Sequence, residues 1–129
     1  VSEVSDPNVS NLDPNLKTIL ESNEEEDRDF IFCAQCSNVV SRASARVEVN
    51  GSHTHLCTNP YGLEFNVGCL ENALGCDISG RPEAADTWFF GYQWHIASCA
   101  SCQTHLGWYF TTSDHYFYGL ILDRIQEDK

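Results

Sequence analysis

Cationic side chains are scarce in this chain: seven lysines and arginines stand against nineteen acids, a net charge of −12, and no lysine occurs between Lys17 and Lys129. A surface that neutralises phosphates needs clustered Lys and Arg, so nucleic acid is excluded as a partner. No run of eighteen apolar residues occurs, which excludes a helical membrane span. The chain opens at Val1 without a basic stretch leading into an apolar one, so no signal peptide is visible and the compartment stays open between cytoplasmic and secreted. Helical periodicity is weak throughout, and no aromatic residue precedes Phe30.

Charge divides what remains into two parts. Residues 1–30 hold nine acids and two bases, including the run Glu24-Glu25-Glu26-Asp27, and bury too little apolar surface to offset chain entropy. This predicts a disordered acidic tail with at most a short helix over Leu16–Leu20. Residues 31–129 hold all seven cysteines, three tryptophans and five tyrosines, and are expected to form one small domain.

Two CxxC pairs, Cys33 with Cys36 and Cys99 with Cys102, enclose sixty-two residues. Each places two sulfurs on one turn, and two such knuckles complete a tetrahedral shell, so the four read as a closed, structural zinc site. A redox CxxC belongs at a strand-to-helix junction, whereas alternating, β-rich sequence flanks these pairs. In small metal-stapled domains such binding is worth roughly 10–16 kcal/mol, comparable with the whole folding free energy. The other cysteines, Cys57, Cys69 and Cys76, are read as buried thiols in a reducing compartment; in an oxidising one, Cys69 with Cys76 is the pair favoured to bridge.

Short apolar–polar alternations over Val47–Val49, Leu63–Val67, Trp94–Ile96, Leu106–Phe110 and Phe117–Leu122 predict strands, with Asn50-Gly51 as a hairpin turn and Cys69–Leu74 as the one candidate helical turn. The expected fold is mostly β and antiparallel, its two sheets pinned by the knuckles. Within it Trp88, Trp94 and Trp108 cluster around the second knuckle. Trp88 and Trp94 flank a bend at Gly91, and Trp108 shares a strand face with Phe110. Residue types alone leave an aromatic ligand cage and ordinary core packing both open. His105 is read as structural, as part of the turn or as a donor beside the zinc site, Tyr92 as packing behind the cage, and His53 and His55 as exposed along a strand.

The order of Cys33–Cys36, Asn59-Pro60-Tyr61-Gly62, Gly80-Arg81-Pro82, Thr87–Trp94, Cys99–Cys102 and His105-Leu106-Gly107-Trp108 resembles the CULT domain, the thalidomide-binding domain of cereblon, over about Phe32 to Ile125. The resemblance implies a β-tent of two antiparallel sheets meeting at an angle, and a non-enzymatic pocket for cyclic imides walled by Trp88, Trp94 and Trp108. It implies Phe110 as the pocket base, Asn59 over the pocket, the Asp86 backbone carbonyl as acceptor of the imide N–H, and backbone of Trp88 for an imide oxygen. Glutarimides, succinimides and protein chain ends cyclised at Asn or Gln are the implied ligands. Asp86 and Tyr61 stand where animal cereblons carry His, and a carboxylate at the rim suits cationic ligand tails. No Lon-like domain or adaptor-binding helical segment precedes Phe32, so a ubiquitin-ligase adaptor is not expected as a partner of this chain.

Two other functions fit the same residues. Three tryptophans beside Asp86 suit a methylated ammonium group. A methionine-sulfoxide-reductase-like enzyme would take Cys57, Cys69 or Cys76 as nucleophile and His53, His55, His95 or His105 as base, although no spacing among them forms a recognisable catalytic motif.

Overall fold

Alternation along short segments drives this chain into strands. A computed structural model describes residues 29–127, so the acidic tail expected over residues 1–30 and its short helix fall almost wholly outside the described residues. Among the described residues nine strands follow in order: β1 Phe30–Cys33, β2 Val39–Arg42, β3 Thr54–Thr58, β4 Glu64–Leu70, β5 Cys76–Glu83, β6 Gln93–Cys99, β7 His105–Thr111, β8 Tyr116–Ile121 and β9 Ile125–Gln126. They pair antiparallel into a three-stranded sheet, β2-β1-β9, and a six-stranded sheet, β3-β4-β8-β7-β6-β5. The mostly β fold of two antiparallel sheets expected from the sequence is the fold the chain adopts.

Strand alternation gives the large sheet two different faces. One packs on the small sheet, where Ile31 and Val40 meet Leu70, Ala97, Leu106 and Leu120 in a single buried cluster. The other carries Cys69, Phe110 and Phe117, with Phe89, Trp88, Trp94 and Trp108 packed against them. Neighbouring residues such as Tyr109 and Phe110 therefore serve different cores.

Turn chemistry fixes the register locally. Asn50 and Gly51 take φ of 53° and 87°, and Val49 and Ser52 exchange backbone hydrogen bonds of 2.9 and 3.2 Å, the two-residue turn that Asn-Gly favours. Val47–Val49 nevertheless forms no strand, in contrast to the sequence expectation: the tight turn leaves only isolated bridges, Arg46 to Leu70 and Val49 to Ser52. The helical turn expected over Cys69–Leu74 is also absent, because Cys69 and Leu70 continue β4 against Gly119 and Tyr118 of β8. The ladder bonds of a buried strand outweigh a weak local helical preference.

Candidate metal centre and aromatic cavity

Both CxxC pairs sit where a strand turns into its hairpin partner, β1 into β2 and β6 into β7. The two knuckles match bond for bond. Ser37 N–H donates to Cys33 O and Cys33 N–H to Asn38 O; Gln103 N–H donates to Cys99 O and Cys99 N–H to Thr104 O, each at 2.8 Å. Ser37 and Gln103 both adopt left-handed backbone, with φ of 63° and 64°. This geometry turns each second cysteine back beside the first.

The knuckles face each other across the two sheets, and the four sulfurs of Cys33, Cys36, Cys99 and Cys102 all lie within 4.8 Å of one another. Cys33 Sγ is 3.7 Å from Cys102 Sγ and Cys36 Sγ is 3.6 Å from Cys99 Sγ. Metal–sulfur bonds of about 2.3 Å in a regular tetrahedron need sulfurs roughly 3.8 Å apart, so donor type and spacing both fit a single ion. Burial pushes the Cys33 thiol up to about 11, whereas hydrogen bonding from the Thr104 hydroxyl, 3.0 Å from Cys102 Sγ, brings Cys102 down to about 6. Asn38 Nδ2 also points a donor at Cys99 Sγ, 3.7 Å away. Cys33 and Cys99 are buried and Cys36 and Cys102 exposed, and a bound cation would offset the negative charge of four thiolates held this close.

The second constellation lies on the opposite face of the large sheet. Trp94 on β6 is the cross-strand partner of Phe110 on β7, and Trp108 projects from the same face of β7 two residues earlier. Trp88 comes from the loop between β5 and β6. With Asp86 these residues line a cavity of about 200 Å³ counting its open mouth. Trp88 meets Trp108 edge to face, and Phe110, 1% exposed, closes the floor.

Two indole N–H groups hold the walls upright: Trp88 Nε1 donates to Thr58 O at 2.9 Å and Trp94 Nε1 to Ala85 O at 2.8 Å. Both polar edges are thereby satisfied, and ring surface is what they leave to the cavity. The loop itself is anchored by Phe89, buried edge-on against Phe110 and Phe117, while its neighbour Phe90 is 99% exposed. Asp86 adopts left-handed backbone at φ 58°, so the chain reverses direction at the cavity lip.

Asn59 does not line the cavity. Its side-chain oxygen accepts from the N–H groups of Tyr61 and Leu63, each at 2.9 Å, which shapes the loop between β3 and β4; that loop reaches the tryptophans through the neighbouring Thr58 carbonyl. Behind the walls stand two residues that sequence reasoning did not assign to the cage. Phe65 packs edge-on to Trp108 at 5.4 Å, and His105 does so at 4.9 Å with its Nε2 2.8 Å from Gly107 O. The position of Phe65 in an alternating strand is the one signal that could have flagged it. Tyr92 packs behind the floor, its ring 5.2 Å from Phe117 and its hydroxyl 2.7 Å from His115 Nδ1.

No family model matches the chain. Protein cereblon of Gallus gallus is 38% identical to it over 78 residues, 54% of this chain and 18% of that protein. The Drosophila simulans cereblon is 31% identical over 104 residues, 74% of this chain and 18% of its own length, and that of Drosophila persimilis 30% over 115 residues, 82% and 18% respectively. This chain carries a cereblon-like CULT domain. It spans 18% of the length of these relatives, so the expectation against adaptor binding, drawn from what precedes Phe32, has no footing.

In this cereblon-like domain Cys69 and Cys76 pack in different clusters. All seven cysteines are free; Cys69 belongs to the cluster under the tryptophans and Cys76 packs against the inter-sheet cluster, so the bridge favoured between them for an oxidising compartment is not formed. Burial pushes Cys57 up, and carries Cys69 and Cys76 up to about 12. His53 and His55 are half-buried, contrary to the exposed positions expected: His53 Nδ1 lies 3.3 Å from Val47 O, and His55 packs edge-on to Phe89. His95 Nδ1 is 3.1 Å from Gly80 O.

Proposed function

We propose that this domain is a non-enzymatic binding module for cyclic imides, held in shape by a structural zinc ion at Cys33, Cys36, Cys99 and Cys102. The observation that carries the proposal is the cavity bounded by Trp88, Trp94, Trp108, Phe110 and Asp86, whose walls are aromatic and whose Trp88 and Trp94 N–H groups are already spent on carbonyls. A five- or six-membered imide is compact and neutral, with one donor between two acceptors. Indole faces cover its methylenes, and the polar edge is left to the loop backbone.

Among the described residues no backbone group pairs with the Asp86 carbonyl or the Trp88 N–H. In this reading the carbonyl accepts the imide N–H and the amide donates to an imide oxygen. An unmet polar group in such an enclosure costs about 1–3 kcal/mol, so a ring lacking the donor is refused. A linear glutamine amide binds less well because it must first be ordered. Burial shifts the thiols of Cys57, Cys69 and Cys76 upward, away from the reactive thiolate, which supports a binding role over nucleophilic catalysis.

Titration of the zinc-loaded protein with glutarimide and with N-methylglutarimide, followed by tryptophan fluorescence and calorimetry, tests the proposal. Saturable quenching by the first and none by the second is expected. A glutarimide titration with neither quench nor heat would end this reading. The presence of Asp86 in the lining favours one rival, a cage for methylated ammonium; under that rival trimethyllysine displaces a bound fluorescent imide, and under the proposal it does not.

A further inference from the structure

The cavity lip is negatively charged on its loop side. Asp86 lines the cavity, and Glu83, on the edge strand β5, is the cross-strand partner of the cavity residue Trp94. Both are exposed, and the ion pair between Arg46 and Glu127 involves neither of them. Arg81 is the nearest base in sequence, and Gly80 together with the irregular register between Ser79 and Glu83 interrupts the strand beside it. The chain as a whole carries a net charge of −12, which reinforces the local sign.

Cyclisation of a terminal Asn or Gln consumes the α-carboxylate: the side-chain amide nitrogen bonds to the terminal carbonyl carbon, and the carboxyl oxygen and two protons leave as water. The product is a neutral imide, whereas the linear chain end and every ring-opened product with a free carboxyl are anionic at neutral pH. A lip of two carboxylates disfavours these anionic forms. The same field favours a positive charge next to the ring.

We infer that Asp86 and Glu83 set a charge filter on the cavity, which selects imides with a cationic neighbour and rejects those beside a carboxylate. This rests on the imide reading above and names its ligand class: chain ends in which Lys or Arg precedes the cyclised residue. Asp86 does two jobs under this assignment, presenting its backbone to the ring and its side chain to what lies beyond. Selectivity comes as much from repulsion of the wrong ligand as from attraction of the right one.

Two acetylated peptides that end in cyclised Gln and differ only in a preceding Lys or Glu test the filter, in competition with a fluorescent glutarimide on the zinc-loaded full chain. Each exposed charge contact is worth up to about 1 kcal/mol, so the Lys peptide should bind about two- to fivefold more tightly per carboxylate at low salt. The preference should fade at high salt. It should fall stepwise in Glu83→Gln and in Asp86→Asn, the latter chosen because Asn tolerates the left-handed backbone there. The readout is the ratio of the two affinities, so any uniform loss in a variant cancels. Equal affinities, or a ratio that neither variant changes, would overturn the filter while glutarimide still bound; failure of glutarimide itself would instead bring down the imide reading.

Discussion

Trp88 and Trp108 stand edge to face, with ring centroids 4.7 Å apart and planes at 82°, one from a loop and the other from the middle of β7. Each ring supports the other, so the enclosure is a cooperative unit and not a set of separate contacts. Trp108→Ala should lower glutarimide affinity at least about thirtyfold, the scale of a buried aromatic anchor. Calorimetry on variant protein with its metal content verified checks this, and Phe65→Ala should give a smaller loss through the same ring.

The two sheets meet through the metal centre, and its loss should propagate to both. Zinc should bind at one equivalent per chain, and Cys99→Ser or a strong chelator should abolish cooperative unfolding, since site formation contributes roughly 10–16 kcal/mol in comparable small domains. Elemental analysis and thermal melts followed by circular dichroism provide the measurement. A chelated protein that kept its full melting transition would contradict the assignment.

Gly107 is confined by the strand beside it. A Cβ at that position would lie 2.1 Å from Gly119 O and 2.8 Å from Leu120 Cα, and both contacts are backbone that cannot step aside. Gly107→Ala should therefore cost about 3 kcal/mol or more, by forcing β7 from β8. Urea denaturation of the zinc-loaded protein measures it.

His105 makes stability depend on pH in a defined direction. Burial holds its imidazole below the ordinary value, with the Gly107 carbonyl opposing and Arg124 adding to the shift. Below about pH 6.5 the unfolded chain takes up a proton that the folded chain resists, so this contribution is present above that pH and is lost as pH falls beneath it. As pH falls below about 6.5 the wild type should lose more stability than His105→Gln, compared by urea midpoints at saturating zinc. Parallel curves would show that His105 is not held neutral.

Thiol labelling separates buried from reactive cysteines. In the folded, zinc-loaded protein at neutral pH, Cys57, Cys69 and Cys76 should resist iodoacetamide because burial keeps them protonated, and denaturation with a chelator should open all seven cysteines to alkylation. Mass spectrometry counts the adducts. Rapid native labelling of any of the three would revive a nucleophilic role.

Features decided within a few residues are legible in the sequence. The CxxC spacing gives each knuckle its turn, Asn50-Gly51 supplies two successive left-handed residues, and alternation in Leu106–Phe110 and Phe117–Leu122 marks the central strands. β5 carried no such mark, because every residue after Cys76 is exposed along this edge strand and no burial pattern distinguishes it from a loop.

The cavity belongs to the other kind. Phe89 and Phe90 are identical in type and adjacent, yet one anchors the loop and the other faces solvent; Asn59 shapes its own turn, while Phe65 and His105 back the tryptophans. Sequence by itself determined the β architecture, the paired knuckles and the supply of indoles. Only the tertiary structure decided which side chains enclose space, because the loop that carries Trp88 is positioned by contacts to Thr58 and to Phe117, which lie far from it in the chain and leave no local pattern.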